Sequence, residues 1–176
     1  EMITVEKAFR EVSIEGCEII GQGSNGIVYR LNPETIVKVY RNADALEEMQ
    51  REREISRKAF VLGIPTAIPY DVVRVGDKFG TVFELLNARS ITKLILAEPE
   101  KLDEYVAVFV DTLKLIHNTT VQPGQLPAMK TVALDWADFL KGHLPDSQQQ
   151  KLHELISAVP DHDYMLHGDY HSNNVM

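Results

Sequence analysis

The sequence predicts an α+β fold of two lobes, because strand-like segments fill the first half of the chain and helix-like segments fill the second. Short β-branched runs separated by turn residues dominate residues 12–87, whereas apolar residues at helical spacing dominate residues 88–160. We therefore predict an N-terminal lobe over 1–87, built from an antiparallel sheet and one large helix. A partial, mostly helical C-terminal lobe covers 88–176, and a hinge is expected near residues 85–88.

Turn residues divide the N-terminal lobe into short strands. The Asn-Pro-Glu turn at 32–34 and the Gly-Asp pair at 76–77 each lie between two β-type runs, which favours hairpins. A helix is predicted from about 43 to 62, with Asp44 as a candidate N-cap and Gly63 just past its end. The predicted strands are 18–21, 26–31, 35–40, 70–75 and 79–84.

Helical periodicity organises the C-terminal lobe. Ser90 is a candidate cap for a short helix, and the stretch from 118 to 130 contains prolines and a glycine typical of a loop. A polar segment at 167–174 lies between two apolar runs, which we interpret as short strands flanking a loop. The main helices are predicted at 100–117, 132–142 and 147–159.

Composition excludes several classes of protein. The net charge is −8 and both halves are acidic, so nothing in the chain is built to neutralise a phosphate backbone and nucleic-acid binding is not expected. Cys17 is the single cysteine, which fits a reducing compartment. Residues 1–7 lack the basic and apolar pattern of a signal peptide, and no stretch of the sequence is apolar enough for a membrane span. We therefore expect a cytoplasmic protein.

A glycine-rich motif, Gly-Gln-Gly-Ser-Asn-Gly, occupies residues 21–26. Dinucleotide-binding folds share this motif but require a helix directly after it, whereas residues 27–31 have the alternation of a strand. A glycine loop between two strands lets backbone amides approach nucleotide phosphates, and the simpler alternative is an ordinary hairpin turn. The candidate nucleotide-binding residues here are Gly21, Gly23, Ser24, Asn25, Gly26 and Val28.

Lys38 lies in the middle of an otherwise apolar strand and therefore needs an anionic partner. Nucleotide phosphates would provide one, if a glutamate from the helix at 43–62 also held the amine. Glu48, Glu52 and Glu54 are candidates, and Glu52 lies nearest the middle of the apolar face. We therefore predict a Lys38–Glu52 pair, with surface positions as the alternative for both residues.

The segment His-Gly-Asp-Tyr-His-Ser-Asn-Asn at 167–174 carries the strongest signal. Asp169 followed five residues later by Asn174 is the spacing that phosphoryl transfer uses for a base and a magnesium ligand. A zinc site through His167 and His171 is the alternative, but a chain with one cysteine lacks the usual partners. We expect His167 to hold the loop through backbone hydrogen bonds instead.

These elements, in this order, resemble the aminoglycoside phosphotransferase and choline kinase superfamily from about Cys17 to Met176. Gly168 stands where protein kinases place arginine, and residues 63–69 resemble the proline-bearing loop of these enzymes. The resemblance implies a bilobal protein-kinase-like fold. It also implies ATP and Mg²⁺ as cofactors, adenine binding by the Glu84 carbonyl and the Leu86 amide, and a small-molecule hydroxyl acceptor.

The function implied by the resemblance is transfer of the γ-phosphate of ATP to an aminoglycoside, a sugar or a choline-like alcohol. The alternative is a nucleotide-binding pseudokinase or regulatory module that keeps the fold without turnover. Family members carry a second magnesium-binding aspartate beyond the position of Asn174. We therefore expect the 176 residues alone to be inactive, and either a longer chain or a homo-oligomer to cover the apolar face of helix 100–117.

Overall fold

The computed structural model describes residues 9–42, 44 and 46–176. The prediction that no signal peptide opens the chain, and the predicted helix start at Ala43, lie outside the described residues. The structure divides into two compact units, residues 1–88 and 89–176.

The N-terminal unit contains a six-stranded sheet. The strands are β1 Arg10–Glu11, β2 Ile19–Gln22, β3 Gly26–Arg30, β4 Thr35–Tyr40, β5 Pro69–Val75 and β6 Lys78–Glu84. Their order in the sheet is β1-β5-β6-β4-β3-β2. Hydrogen-bonded hairpins connect β3 to β4 and β5 to β6, because turn residues separate β-branched runs at both places.

The predicted antiparallel sheet is formed, and one further strand pairs in parallel at its edge. The two-residue strand β1 pairs in parallel with β5, and Val12 N–H extends this contact by donating to the Arg74 carbonyl at 2.8 Å. Two consecutive charged residues, Arg10 and Glu11, give no alternation of apolar and polar positions. The sequence therefore carries no signal for this strand.

Helix α1, Leu46–Val61, packs on one face of the sheet. Its buried Met49 forms a cluster with Tyr40 of β4 and Val72 of β5. A second cluster of valines, centred on Val37 and Val73, lies among the strands. The alternation along β4 thus sends Val37 and Tyr40 into different clusters and fixes the face that Lys38 shares with Tyr40.

The C-terminal unit is helical, as predicted. Ser90 caps its first helix, since the Ser90 hydroxyl accepts the Lys93 N–H at 3.4 Å. A 3₁₀ turn at Pro99–Lys101 leads directly into the long second helix. The helices are α2 Ile91–Ala97, α3 Leu102–His117, α4 Met129–Phe139 and α5 Asp146–Ser157.

The predicted strands on either side of the polar loop are not formed in the described chain. Tyr164 makes only an isolated bridge with Thr120, and Val175 accepts a hydrogen bond from the Ile91 N–H at 2.8 Å instead. Each apolar run is two or three residues long and meets a loop or a helix terminus rather than another strand, so no ladder develops.

Helix α3 keeps much of its apolar face open. Ile116 is 3% exposed, but Leu102, Val106 and Val110 are between 39% and 46% exposed. This exposure agrees with the expectation of an uncovered face, and its cover by further chain or by a second copy stays a prediction. Within the described residues, no helix is both long enough and apolar enough to cross a membrane.

Candidate active site

The glycine motif forms the turn between β2 and β3. Gly23 N–H donates to the Gly26 carbonyl at 3.0 Å, and Arg41 N–H donates to the Asn25 carbonyl at 3.0 Å. The Arg41 guanidinium also reaches the Gly23 carbonyl, at 3.3 Å from Nη2. In the described part of the chain, the N–H groups of Ser24 and Asn25 donate no backbone hydrogen bond. The tip of the turn therefore presents amide donors to an anion.

Two glycines of the motif have different reasons for lacking a side chain. A Cβ on Gly26 would lie 2.5 Å from the Val39 carbonyl oxygen, so the β3–β4 pairing itself requires glycine there. A Cβ on Gly23 would meet nothing within 4 Å. The fold therefore explains Gly26, while the open space at Gly23 is available to a ligand.

Val28 and Lys38 lie opposite each other in the β3–β4 register, so their side chains share a face of the sheet. Lys38 Nζ lies 2.7 Å from Glu52 Oε1, and the two side chains are 26% and 38% exposed. Glu52 is thus the α1 glutamate that pairs with Lys38, and its choice over Glu48 and Glu54 agrees with the structure. The role of the pair in phosphate binding stays a prediction.

A third residue joins this pair that sequence reasoning did not identify. The Tyr40 hydroxyl donates a hydrogen bond to Glu52 Oε2, and Lys38 Nζ lies 4.8 Å from the centre of the Tyr40 ring. Burial raises the pKa of Tyr40 well above its ordinary range, helped by the hydrogen bond and the negative charge of Glu52. The only sequence signal was the two-residue spacing from Lys38, which puts both side chains on one face.

The segment that the resemblance assigns to adenine lies at the end of β6. Glu84 N–H donates to the Ile68 carbonyl at 2.9 Å, and Leu85 N–H donates to the Glu34 carbonyl at 2.8 Å. The Leu86 N–H makes no backbone hydrogen bond within the described residues, and its side chain is 37% exposed. Backbone hydrogen bonds therefore hold the chain up to Leu85, and the Leu86 N–H is available to a ligand.

In the C-terminal unit, Asp169 and Asn174 are in direct contact. Asn174 Nδ2 lies 3.0 Å from the Asp169 carbonyl oxygen and 3.0 Å from Asp169 Oδ2. His171 Nε2 lies 3.7 Å from the other carboxylate oxygen, Oδ1. The Asp169 side chain is 77% exposed. The five-residue spacing therefore closes into one small site, with a carboxylate oriented by an amide and open to solvent.

Gly168 and His167 shape the backbone at Asp169. Gly168 has φ of 83°, in the left-handed region where a side chain is strained. The preceding His167 ring accepts the Asp169 N–H through Nδ1, at 3.2 Å. This contact is the loop-holding role expected of His167. Among the residues that the structure describes, no group of three His, Cys, Asp or Glu side chains could hold a metal ion.

Two helices hold the polar loop in place of the strands that the sequence suggested. The Tyr170 hydroxyl donates to the Phe109 carbonyl of α3 at 2.5 Å, and burial raises the pKa of Tyr170. At the start of α2, Thr92 N–H donates to the Ser172 carbonyl at 3.1 Å, and the two hydroxyl groups lie 2.7 Å apart. The orphan N–H groups of the α2 terminus thus bind loop carbonyls.

The described residues supply only part of a magnesium site. Asn174 uses its amide nitrogen on Asp169, which leaves Oδ1 as one neutral oxygen donor. Magnesium in nucleotide sites is bound by one or two carboxylates together with phosphate oxygens. Asn174 Oδ1 fits one position of such a set in chemical type, and no complete cluster is found among the described side chains.

A sheet with one large helix, followed by a helical unit that carries a His-Gly-Asp loop, defines a protein-kinase-like fold of the small-molecule type. The model of the phosphotransferase enzyme family matches residues 16–176. The chain belongs to this family, and the predicted resemblance is confirmed.

Solved structures agree on the fold. A thermostable mutant of aminoglycoside phosphotransferase APH(4)-Ia, in its apo form, is 12% identical with a TM-score of 0.57, and the match covers 90% of this chain and 61% of that one. ADP-bound aminoglycoside phosphotransferase APH(2'')-Ib is 19% identical with a TM-score of 0.50, covering 80% and 52%. The chain thus spans 52% to 61% of the length of these two structures. A comparison with curated proteins found no match.

Proposed function

We propose that this protein is an ATP-dependent phosphotransferase that moves the γ-phosphate to a hydroxyl group of a small molecule. Its family and its fold support the proposal, since the similar structures are aminoglycoside phosphotransferases and one of them holds ADP. The acceptor class is an aminoglycoside, a sugar or a choline-like alcohol. We place the protein in the cytoplasm and expect no nucleic-acid partner, in keeping with its net charge of −8.

The observation that carries the proposal is the 2.7 Å ion pair between Lys38 of β4 and Glu52 of α1, with β4 paired to the strand that follows the glycine turn. A half-buried ion pair contributes little net stability, so stability alone is a weak reason for its presence. An ammonium group has three N–H donors, and Glu52 occupies one of them. The remaining donors would bind nucleotide phosphate oxygens, together with the free amides of Ser24 and Asn25.

The Asp169 loop would supply the chemistry on the acceptor. Asp169 would accept the proton of the attacking hydroxyl, because its carboxylate is exposed and Asn174 holds one of its oxygens. Catalysis of this kind relies mainly on positioning, so a carboxylate held by a rigid loop suffices. Asn174 Oδ1 would be one ligand of Mg²⁺, which neutralises charge on the phosphate oxygens when it is bound.

Gly168 supports a small acceptor rather than a protein. Protein kinases place a long arginine side chain at this position, whereas the backbone here is left-handed and a Cβ would meet nothing within 4 Å. A short loop without that side chain leaves the Asp169 carboxylate accessible to a compact hydroxylated molecule.

The test is ATP binding and turnover by the full-length protein and its Lys38→Ala variant. We expect the Kd for ATP with Mg²⁺ to rise at least about tenfold, since a hydrogen bond to a charged group contributes ~1.5–3 kcal/mol. Lys58→Ala is the matched control, because Lys58 pairs with Glu54 at 3.9 Å, one turn away on α1, and not with Glu52. Unchanged binding and turnover in Lys38→Ala would disprove the assignment. Tight binding without turnover in the parent would favour a pseudokinase.

A further inference from the structure

The structure gives Tyr40 a part in the site that family and motif do not assign. We propose that Tyr40 is a positioning residue, whose hydroxyl fixes the Glu52 carboxylate and, through it, the Lys38 amine. This inference rests on the proposed function, because it concerns the same phosphate-binding lysine. Strand β4 would then carry both Lys38, which binds phosphate, and Tyr40, which holds the glutamate that pairs with Lys38.

The geometry joins three side chains in one chain of contacts. Glu52 Oε1 accepts from Lys38 Nζ at 2.7 Å, while Oε2 accepts from the Tyr40 hydroxyl. The carboxylate is therefore held at both oxygens, by groups two residues apart on one strand. The Tyr40 ring also lies beneath Lys38, with Nζ 4.8 Å from the ring centre, a cation–π contact that favours the charged amine.

Tyr40 is fixed by burial, whereas Glu52 is partly exposed and depends on its partners for its position. Tyr40 is 2% exposed and packs against Met49 and Val72, so its hydroxyl has one position. The Glu52 side chain is 38% exposed and has several rotatable bonds. Holding such a side chain in one rotamer costs conformational entropy, and a donor fixed by the core lowers the number of rotamers available.

The Tyr40 hydroxyl also remains a hydrogen-bond donor at neutral pH. Burial raises its pKa, and the hydrogen bond and charge of Glu52 raise it further, so the phenol remains protonated at neutral pH. Glu48 of α1 also raises it, and the Lys38 ammonium lies over the ring. A protonated phenol beside a carboxylate forms the stronger, charge-assisted type of hydrogen bond.

A purely structural role and a positioning role for Tyr40 predict different energetic coupling between Tyr40 and Glu52 in kcat/KM. If Tyr40 only fills the core, its hydroxyl has no reason to depend on Glu52 in catalysis. If it acts through Glu52, removing the hydroxyl has no further effect once Glu52 is gone. A double-mutant cycle on kcat/KM therefore separates the two roles, while thermal unfolding reports the structural contribution.

The experiment compares Tyr40→Phe, Glu52→Ala and the double variant of the full-length protein, with ATP and Mg²⁺ as the probe. We expect Tyr40→Phe to lower kcat/KM for ATP by about tenfold, from the loss of a hydrogen bond to a charged group. In the Glu52→Ala background the same change should alter kcat/KM less than about twofold. Tyr29→Phe is the matched control, since Tyr29 lies on β3 against the valine cluster, and it should match the parent.

The outcomes separate this inference from the proposed function. An unaffected Tyr40→Phe, or an equal loss in both backgrounds, would overturn the positioning role. If Glu52→Ala and Lys38→Ala both turned over ATP like the parent, the proposed function itself would fail. A loss in Tyr40→Phe that follows a fall in Tm and appears equally in Tyr29→Phe would show a packing effect and would also overturn the inference.

Discussion

Adding one methyl group at two glycines of the same turn should have opposite consequences. Gly26→Ala would place Cβ 2.5 Å from the Val39 carbonyl oxygen, which forces β3 and β4 apart. Overpacking of this kind costs ~1–3 kcal/mol. For a unit of this size we expect Tm to fall by at least about 4 °C, since each kcal/mol shifts the Tm of a 60–100-residue domain by ~4–8 °C.

Gly23→Ala should leave the fold intact and affect only the ligand. The added Cβ meets no atom within 4 Å, and its φ lies outside the left-handed region. Alanine at a compatible glycine is neutral or stabilises by ~0.4–1 kcal/mol, because it restricts the unfolded chain. The methyl group would nevertheless hinder the approach of phosphates to the Ser24 and Asn25 amides. We expect ATP affinity to fall about tenfold, the value of one lost hydrogen bond to a charged group.

Calorimetric titration with ATP and Mg²⁺, paired with thermal unfolding, tests the contrast in the full-length protein. The expected pattern is weaker binding at unchanged Tm for Gly23→Ala and lower Tm for Gly26→Ala. Parent-like ATP affinity in Gly23→Ala would refute the idea that the open side of this turn faces phosphate. A parent-like Tm in Gly26→Ala would refute the close approach of β3 to β4.

Three further predictions concern the loop and the buried tyrosine. Asp169→Asn should lower kcat by about 10²–10⁴-fold, the range for loss of a general base, with little change in ATP affinity. Asp163→Asn is the control. An Asp169→Asn variant that keeps more than half of the parent rate would remove Asp169 from the mechanism. Gly168→Ala and Gly124→Ala should each cost ~1–2 kcal/mol in denaturant unfolding, because both backbones are left-handed, but only Gly168→Ala should slow turnover. Burial raises the pKa of Tyr40 above its ordinary 10.0, so the stability that its phenol contributes is complete below about pH 10. Above that pH the free energy of unfolding should fall by at most ~1.4 kcal/mol per pH unit, because the unfolded chain loses the proton first. A Tyr40→Phe variant whose free energy of unfolding falls equally steeply at alkaline pH would contradict this.

The parts of the site that are local in sequence could be predicted. Strand alternation predicts Lys38 as a half-buried amine, and the position of Glu52 on the apolar face of α1 predicts it as the partner. The Ser90 cap followed from a short polar residue before an apolar run, and it is formed. In each case a side-chain direction is set by the period of one element, so the sequence alone suffices.

Contacts between elements distant in the chain could not be predicted. The anchoring of the loop by Thr92 and by the Phe109 carbonyl joins residues 61 to 80 positions apart, and no periodicity signals it. The contact of the Tyr40 hydroxyl with Glu52 could not be predicted for a different reason, because a tyrosine in a strand is common for packing alone. The parallel edge strand β1 was missed because two residues are too few to show a period.

The function that we propose is transfer of phosphate from ATP to a small hydroxylated molecule. The direct test is incubation of the full-length protein with γ-labelled ATP, Mg²⁺ and a panel of aminoglycosides, sugars and amino alcohols, beside a generic protein substrate. We predict label on at least one small molecule, none on the protein substrate, and loss of labelling in Lys38→Ala and in Asp169→Asn. Efficient labelling of the protein substrate with none on the small molecules would contradict the account.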